Sequence, residues 1–154
     1  MISEKYDLAY TVWCSNEHEL YEMQSDPGQL HNLYETGTGG YVTSTNTNSS
    51  NDTNTLYGWE QQKVVARLDA LLLTLKACKG ATCRRPWAAL HPQGDVETLE
   101  QALDPRFDAF YAGQEKVSFS ECALGYIAAY EGALAPEPFN PGGAPIRARW
   151  EDWT

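Results

Sequence analysis

The sequence predicts an α+β fold: a small antiparallel sheet, formed by an N-terminal hairpin, packed by one long amphipathic helix. Two changes of hydrophobic period carry that prediction. Residues 6–14 alternate with period two, whereas residues 59–78 repeat with the period of a helix. Length and composition allow one domain with a real core. The chain has 154 residues, of which 42% are hydrophobic and 21% charged, so wholesale disorder is excluded.

In the first segment Tyr6, Leu8, Tyr10, Val12 and Cys14 point one way and Asp7, Ala9, Thr11 and Trp13 the other, the pattern of a half-buried strand. Ser15-Asn16-Glu17 supplies turn residues, and Glu19 to Met23 reads as the returning strand of a hairpin. Ser25 or Asp26 as N-cap, with Pro27 in the first turn, predicts a short helix from Gln29 to Tyr34. Residues 36–55 are Thr, Ser, Asn, Asp or Gly except for Tyr41 and Val42; such a stretch cannot offset the entropy of ordering and reads as a flexible surface loop. Its sequons place candidate glycosylation sites at Asn48 and Asn51, usable on passage through a secretory pathway.

From Trp59 to Cys78 the apolar stripe is Val64, Leu68, Leu71 and Leu75, widened by Val65 and Leu72, with Leu73 opposite. Glu60, Gln61, Lys63, Arg67, Asp69 and Lys76 are assigned mostly to the polar side. About 20 residues at 1.5 Å each give roughly 30 Å, long enough to cross one face of the hairpin. Beyond Cys83, Val96 to Leu103 reads as a short helix, Asp104-Pro105 starts a turn, and Val117 to Ala129 reads as a short strand or a buried coil. Residues 134–154, with Pro136, Pro138, Pro141, Pro145 and Gly142-Gly143, read as a tail, leaving 1–133 as the folded part.

A formal net charge of −10 argues against nucleic acid or an anionic membrane as partner. No apolar run approaches the roughly 20 residues of a spanning helix, and Met1-Ile2-Ser3-Glu4-Lys5-Tyr6 has no secretory-signal character. The four cysteines point the other way. Loop length favours a Cys78–Cys83 disulfide, which leaves Cys14 and Cys122 as a pair by elimination, and such bonds belong to an oxidising compartment. His18, His31 and His91 are scattered and form no ligand pair, and Cys78 with Cys83 has no second pair at zinc-finger spacing. There is no Gly-x-Ser-x-Gly, P-loop or dinucleotide fingerprint, so no catalytic, cofactor or metal residue is nominated.

Three segments together carry a family resemblance. Glu19-Leu20-Tyr21-Glu22-Met23, with Asp26-Pro27 and Asn32-Leu33, resembles the E-L-Y-D-L-x-x-D-P-x-E-x-x-N-L signature near the C-terminus of type I sulfatases. Cys78-Lys79-Gly80-Ala81-Thr82-Cys83-Arg84-Arg85-Pro86 is similar to the C-x-G-x-[ST]-C-R-x-P stretch of secreted arylsulfatases and N-acetylglucosamine-6-sulfatases. Asp104-Pro105-Arg106-Phe107-Asp108 with Phe119-Ser120-Glu121-Cys122 is similar to the next stretch of the arylsulfatase branch. The resemblance covers roughly residues 6–130 and implies the small C-terminal subdomain of a secreted or lysosomal sulfuric ester hydrolase.

The family's chemistry uses a formylglycine made from the cysteine of C-x-P-x-R and a calcium ion, both in a large N-terminal α/β domain. Here no cysteine has proline two positions on: Cys83 is followed by Arg84-Arg85-Pro86. The resemblance therefore implies a scaffold portion without catalysis of its own, whose partner is the N-terminal catalytic domain. In that setting His18 or Glu19, near the hairpin turn, would either reach the substrate cleft or form a surface turn. The alternative class is a free-standing, acidic, disulfide-stabilised extracellular binding module.

Overall fold

A computed structural model describes residues 7–34 and 55–142. Asn48 and Asn51, most of the polar stretch and the last part of the Pro/Gly-rich segment lie outside the described residues. Strand β1 (Leu8–Val12) pairs antiparallel with β2 (His18–Glu22), with Tyr10 opposite Leu20 and Val12 opposite His18. Trp13 N donates to Glu17 O at 2.8 Å and closes the turn, where Asn16 takes φ 64°. Alternation then puts Leu8, Tyr10 and Leu20 on the core face.

The expected helix over Gln29–Tyr34 does not form. The Asp26 carboxylate accepts from the Leu30 and His31 amides at 3.0 and 2.8 Å, which ends the turn at once. The chain then runs beside β2. Leu33 N donates to Leu20 O, Asn32 Oδ1 accepts from Leu20 N, and Asn32 Nδ2 donates to His18 O. Edge amides and carbonyls that a helix would have left bare are thereby satisfied.

A second, two-residue hairpin, β3 (Thr55–Leu56) and β4 (Trp59–Glu60), precedes the long helix, so residue 55 is already in a strand. Tyr57 and Gly58 hold φ of 54° and 83°, the left-handed pair a tight hairpin turn requires. Helix α1 (Gln61–Ala77) then crosses the molecule and shares one apolar core with the hairpin, Leu8 and Leu20 packing in the same cluster as Val64 and Leu71.

The buried surface of α1 is wider than its apolar stripe. Leu73 and Ala70 are buried while Leu75 is exposed, because the short helices α3 (Trp87–Leu90), α4 (Leu99–Ala102) and α5 (Asp108–Ala112) complete the core. Arg67 and Asp69, assigned to the polar side by periodicity, are both 1% exposed. Arg67 donates through Nε to Ala102 O at 3.0 Å and through Nη2 to Asp108 Oδ1 at 2.5 Å, and its guanidinium lies 4.6 Å from the Tyr111 ring centre. Lys63 also reaches Asp108 at 3.0 Å. Burial pushes the Asp108 carboxyl up, but the hydrogen bonds and charges of Lys63 and Arg67 outweigh it and hold it below the ordinary range.

Helix α2 (Ala81–Arg84) carries Cys83, which the disulfide ties back to Cys78 just after the end of α1. Thr98 opens α4 with a capping box closed by Gln101. Residues 117–132 form neither a regular strand nor a buried coil. Val117 bridges Gly132 and Ser120 N donates to Tyr130 O, while Leu124, Tyr126 and Ile127 stay exposed. Gly132 sits at φ 62° with Ser118 O only 2.5 Å from where a Cβ would lie, so the crossing admits glycine alone. The segment is tied down by Cys14–Cys122, by Asn16 exchanging two hydrogen bonds with the Phe119 backbone, and by Lys76 pairing with Glu131 at 2.7 Å.

The Pro/Gly-rich segment is not peripheral through Asn140. Phe139 N donates to Leu90 O at 2.7 Å, and its ring meets His91, Phe107 and Phe110 at 5.1–5.4 Å. Prolines there set an extended path that delivers one aromatic side chain to the core.

Denaturation checks the weight of the buried charge and of the two disulfides. Arg67→Ala should cost about 3–5 kcal/mol in chemical denaturation, because Asp108 and Ala102 O lose their buried partner; a cost under about 1 kcal/mol would refute the assignment. Removing Cys14–Cys122 (sequence separation 108) by double serine substitution should cost about 5 kcal/mol, against about 2 kcal/mol for Cys78–Cys83 (separation 5), if chain entropy dominates.

Candidate functional site

The described residues bring one polar constellation together across the fold. Asp69, on α1, is buried beneath the hairpin and accepts two hydrogen bonds, from Tyr10 Oη at 3.0 Å and from Val117 N at 3.0 Å. A buried carboxylate is costly unless its oxygens are satisfied, and here each oxygen has a donor from a different segment. The Tyr10 oxygen also lies 2.8 Å from His18 Nδ1. His18 in turn stacks on Tyr34, with ring centres 4.5 Å apart and planes inclined by 9°. The hairpin supplies Tyr10 and His18 because they lie on the same face two residues out of direct register. The chain beside β2 supplies Tyr34.

Hydrogen-bond accounting fixes the protonation pattern. The Tyr10 hydroxyl has one proton, which goes to Asp69, so its oxygen accepts from Nδ1–H of His18. Burial pushes the Tyr10 hydroxyl far above its usual range, and the charge of Asp69 and its hydrogen bond add to this, so the proton stays on the oxygen. For His18 burial lowers the pKa and Asp69 partly opposes it. The neutral Nδ1–H form then leaves Nε2 as a bare acceptor. Among the described residues Nε2 has no hydrogen-bond partner, and His18 as a whole is half-buried.

A second histidine is placed differently. His91 is fully buried among Phe107, Phe110, Tyr111 and Phe139, and its Nε2 lies 2.8 Å from Tyr111 Oη. Its Nδ1 faces Asp95 Oδ1 at 3.4 Å without making a hydrogen bond. Burial lowers its pKa, with Asp95 opposing. Packed against four aromatic rings and fully buried, His91 is a core residue. His31 is exposed in the turn after Asp26, and Glu19 lies opposite Thr11, on the other face of the hairpin from His18.

Of the residues nominated from sequence, Cys14 is bonded to Cys122 and Cys78 to Cys83, with Cα–Cα distances of 5.1 Å in each case. Neither Asp69 nor Tyr10 is singled out by sequence patterns. The signal that could have found Asp69 is its place in Leu68-Asp69-Ala70-Leu71-Leu72-Leu73, an acid inside an apolar run too long for one stripe. Among the described residues no three His, Cys, Asp or Glu side chains converge as a metal site would need, and no helix is long and apolar enough to cross a membrane.

Known proteins resemble the chain over most of its length. It is 46% identical over 139 residues to the protein named sulfatase ppz1 of Metarhizium majus, covering 90% of this chain and 28% of that protein. It is 36% identical over 111 residues to an arylsulfatase of Volvox carteri, covering 72% of this chain and 14% of the relative. An arylsulfatase of Chlamydomonas reinhardtii is 32% identical over 120 residues, covering 78% and 15%. No family model and no solved structure matches. The chain is thus sulfatase-related sequence that spans less than a third of the length of the curated relatives it matches.

Buried His91 and half-buried His18 set an acid limit. A folded-state pKa below the unfolded value near 6.5 means that the unfolded chain takes up protons first as the pH falls. Stability should therefore be full above pH ~6.5 and decline below it, down to the folded values. Asp108, Asp26 and Glu22 (its carboxyl held down to about 2 despite some burial, by Ser25, Tyr57 and the Gln24 amide) add losses only at lower pH. Denaturant midpoints for wild type and His91→Phe between pH 7 and 5 check this: the variant should lose less stability per pH unit, and an unchanged slope would contradict it.

Proposed function

We propose that the chain is the C-terminal portion of an arylsulfatase-type sulfuric ester hydrolase and acts there as a scaffold rather than as the catalytic part. The observation that carries the reading is the 46% identity to a sulfatase over nine-tenths of this chain but little more than a quarter of the relative. A hairpin locked to one long helix, with two disulfides, supports it: the arrangement is rigid, oxidised and built for packing. In this reading the protein passes through a secretory or lysosomal route, and Asn48 and Asn51 are glycosylated there. The docking partner is the N-terminal catalytic domain.

The family's formylglycine and calcium do not fit these residues. All four cysteines are in disulfides, none has proline two positions on, and no carboxylate cluster among the described residues resembles a cation cage. The reading therefore assigns that chemistry to sequence outside this chain and routes no step through the residues described above.

Purified, this chain should leave p-nitrocatechol sulfate intact, and hydrolysis would overturn the scaffold assignment. A chimera in which it replaces the matched stretch of the Metarhizium relative should keep the parent's sulfatase activity. An active parent beside a folded but dead chimera would count against the proposed equivalence.

A further inference from the structure

Charge is spread unevenly along this acidic chain. No Asp or Glu lies between Asp69 and Asp95, yet that stretch holds Lys76, Lys79, Arg84 and Arg85. The other seven Lys and Arg share the rest of the chain with all 21 acids, a balance of −14. Lys76 is neutralised by Glu131 at 2.7 Å, whereas Lys79, Arg84 and Arg85 are exposed and form no ion pair among the described residues. By contrast, Lys63, Arg67 and Arg106 each meet a carboxylate. The loop that carries the three cations is shaped rather than packed. Helix α2 buries no residue, and Gly80 turns the chain at φ 55° and ψ −113°, a conformation suited to glycine. Cys78–Cys83 closes the loop with Cα atoms 5.1 Å apart. Lys79 and Arg84 directly follow those cysteines, so their side chains start from neighbouring points, with Arg85 next. Like charges held together repel one another, and a bound anion relieves that repulsion.

We propose that this stapled loop is a binding site for a short sulfated oligosaccharide, whose sulfate esters are taken by Arg84, Arg85 and Lys79. A guanidinium fork matches two oxygens of an oxyanion at once, and lysine adds a mobile point charge. Three cations suit a ligand with more than one ester better than an aryl sulfate with a single charge. A long polyanion, nucleic acid included, would run off the loop onto the acidic remainder of the surface. A short ligand stays within the roughly 8 Å over which charges act at physiological salt. The choice of sulfate esters as the anion rests on the sulfatase reading above; the cationic loop does not.

Amide ¹H–¹⁵N spectra of the intact 154-residue chain, titrated with a κ-carrageenan tetrasaccharide carrying two sulfate esters, test the site. Amides of residues 79–85 should shift and saturate. The tetrasaccharide should bind roughly tenfold more tightly than sodium sulfate, because its second ester binds at the effective concentration set by the first. Lys79→Gln, Arg84→Gln and Arg85→Gln combined should weaken binding roughly tenfold or more. All three side chains are exposed, so the core is untouched, and the same spectra show whether the variant is folded. Arg106→Gln, outside the loop, should leave the affinity unchanged. Absent shifts, shifts centred elsewhere, or equal affinity for sodium sulfate or the desulfated saccharide overturn the proposal. Tighter binding of an oligothymidylate of the same charge overturns it in favour of nucleic acid. Sulfatase activity of the chimera tests the parent reading separately, so loop and family assignment can fail independently.

Discussion

Two opposite charges on one helix organise this molecule. Arg67 and Asp69 lie two residues apart on α1, on different sides of it, and both are removed from water. A buried charge is tolerable only with partners in good geometry, and neither finds its main partner on its own helix. Arg67 takes Ala102 O and Asp108 from the short-helix side, while Asp69 takes Tyr10 from the hairpin and the Val117 amide. The helix is thus clamped from two directions by bonds that operate in a single register. Apolar packing alone, being non-directional, would tolerate a sliding or rotated helix.

The rest of the fold depends on that clamp. With α1 buried on both sides, its apolar surface needs more cover than a two-stranded hairpin can give. Short helices too brief to be stable alone supply it, held by their core residues, with α4 also capped by Thr98. The Lys63–Asp108–Arg67 cluster fixes the start of α5, and the aromatic group around His91 receives Phe139 from the Pro/Gly-rich segment. The segment from Val117 to Gly132 has little core of its own. Covalent and polar ties to the hairpin turn and to the end of α1 hold it in place.

The same clamp leads from structure to chemistry. Asp69 stabilises the fold by joining hairpin, helix and the Val117 crossing, and the hydrogen bond to Tyr10 that does so also orients the His18 imidazole. Stability and site cannot be separated at Tyr10: its ring packs on the core while its hydroxyl orients the imidazole.

The sequence by itself determined the elements whose periodicity is local. The period-two run from Tyr6, the turn at Ser15-Asn16-Glu17 and the helical repeat from Trp59 specify a hairpin and a long helix, because each pattern is repeated by several side chains with one fate. The sulfatase-like segments were equally legible, since they are strings of residues. Tertiary structure alone decided the rest. Gln29 to Tyr34 has helix-start chemistry, yet its amides and Asn32 are claimed by Asp26 and the edge of β2, a neighbour no local pattern reveals. Arg67 and Asp69 look like solvent-facing charges because periodicity counts polarity and not partners; their partners lie 30 to 60 residues away. The cluster around His18 belongs to this second class: its residues come from positions 10, 18, 34 and 69, and only folding makes them neighbours.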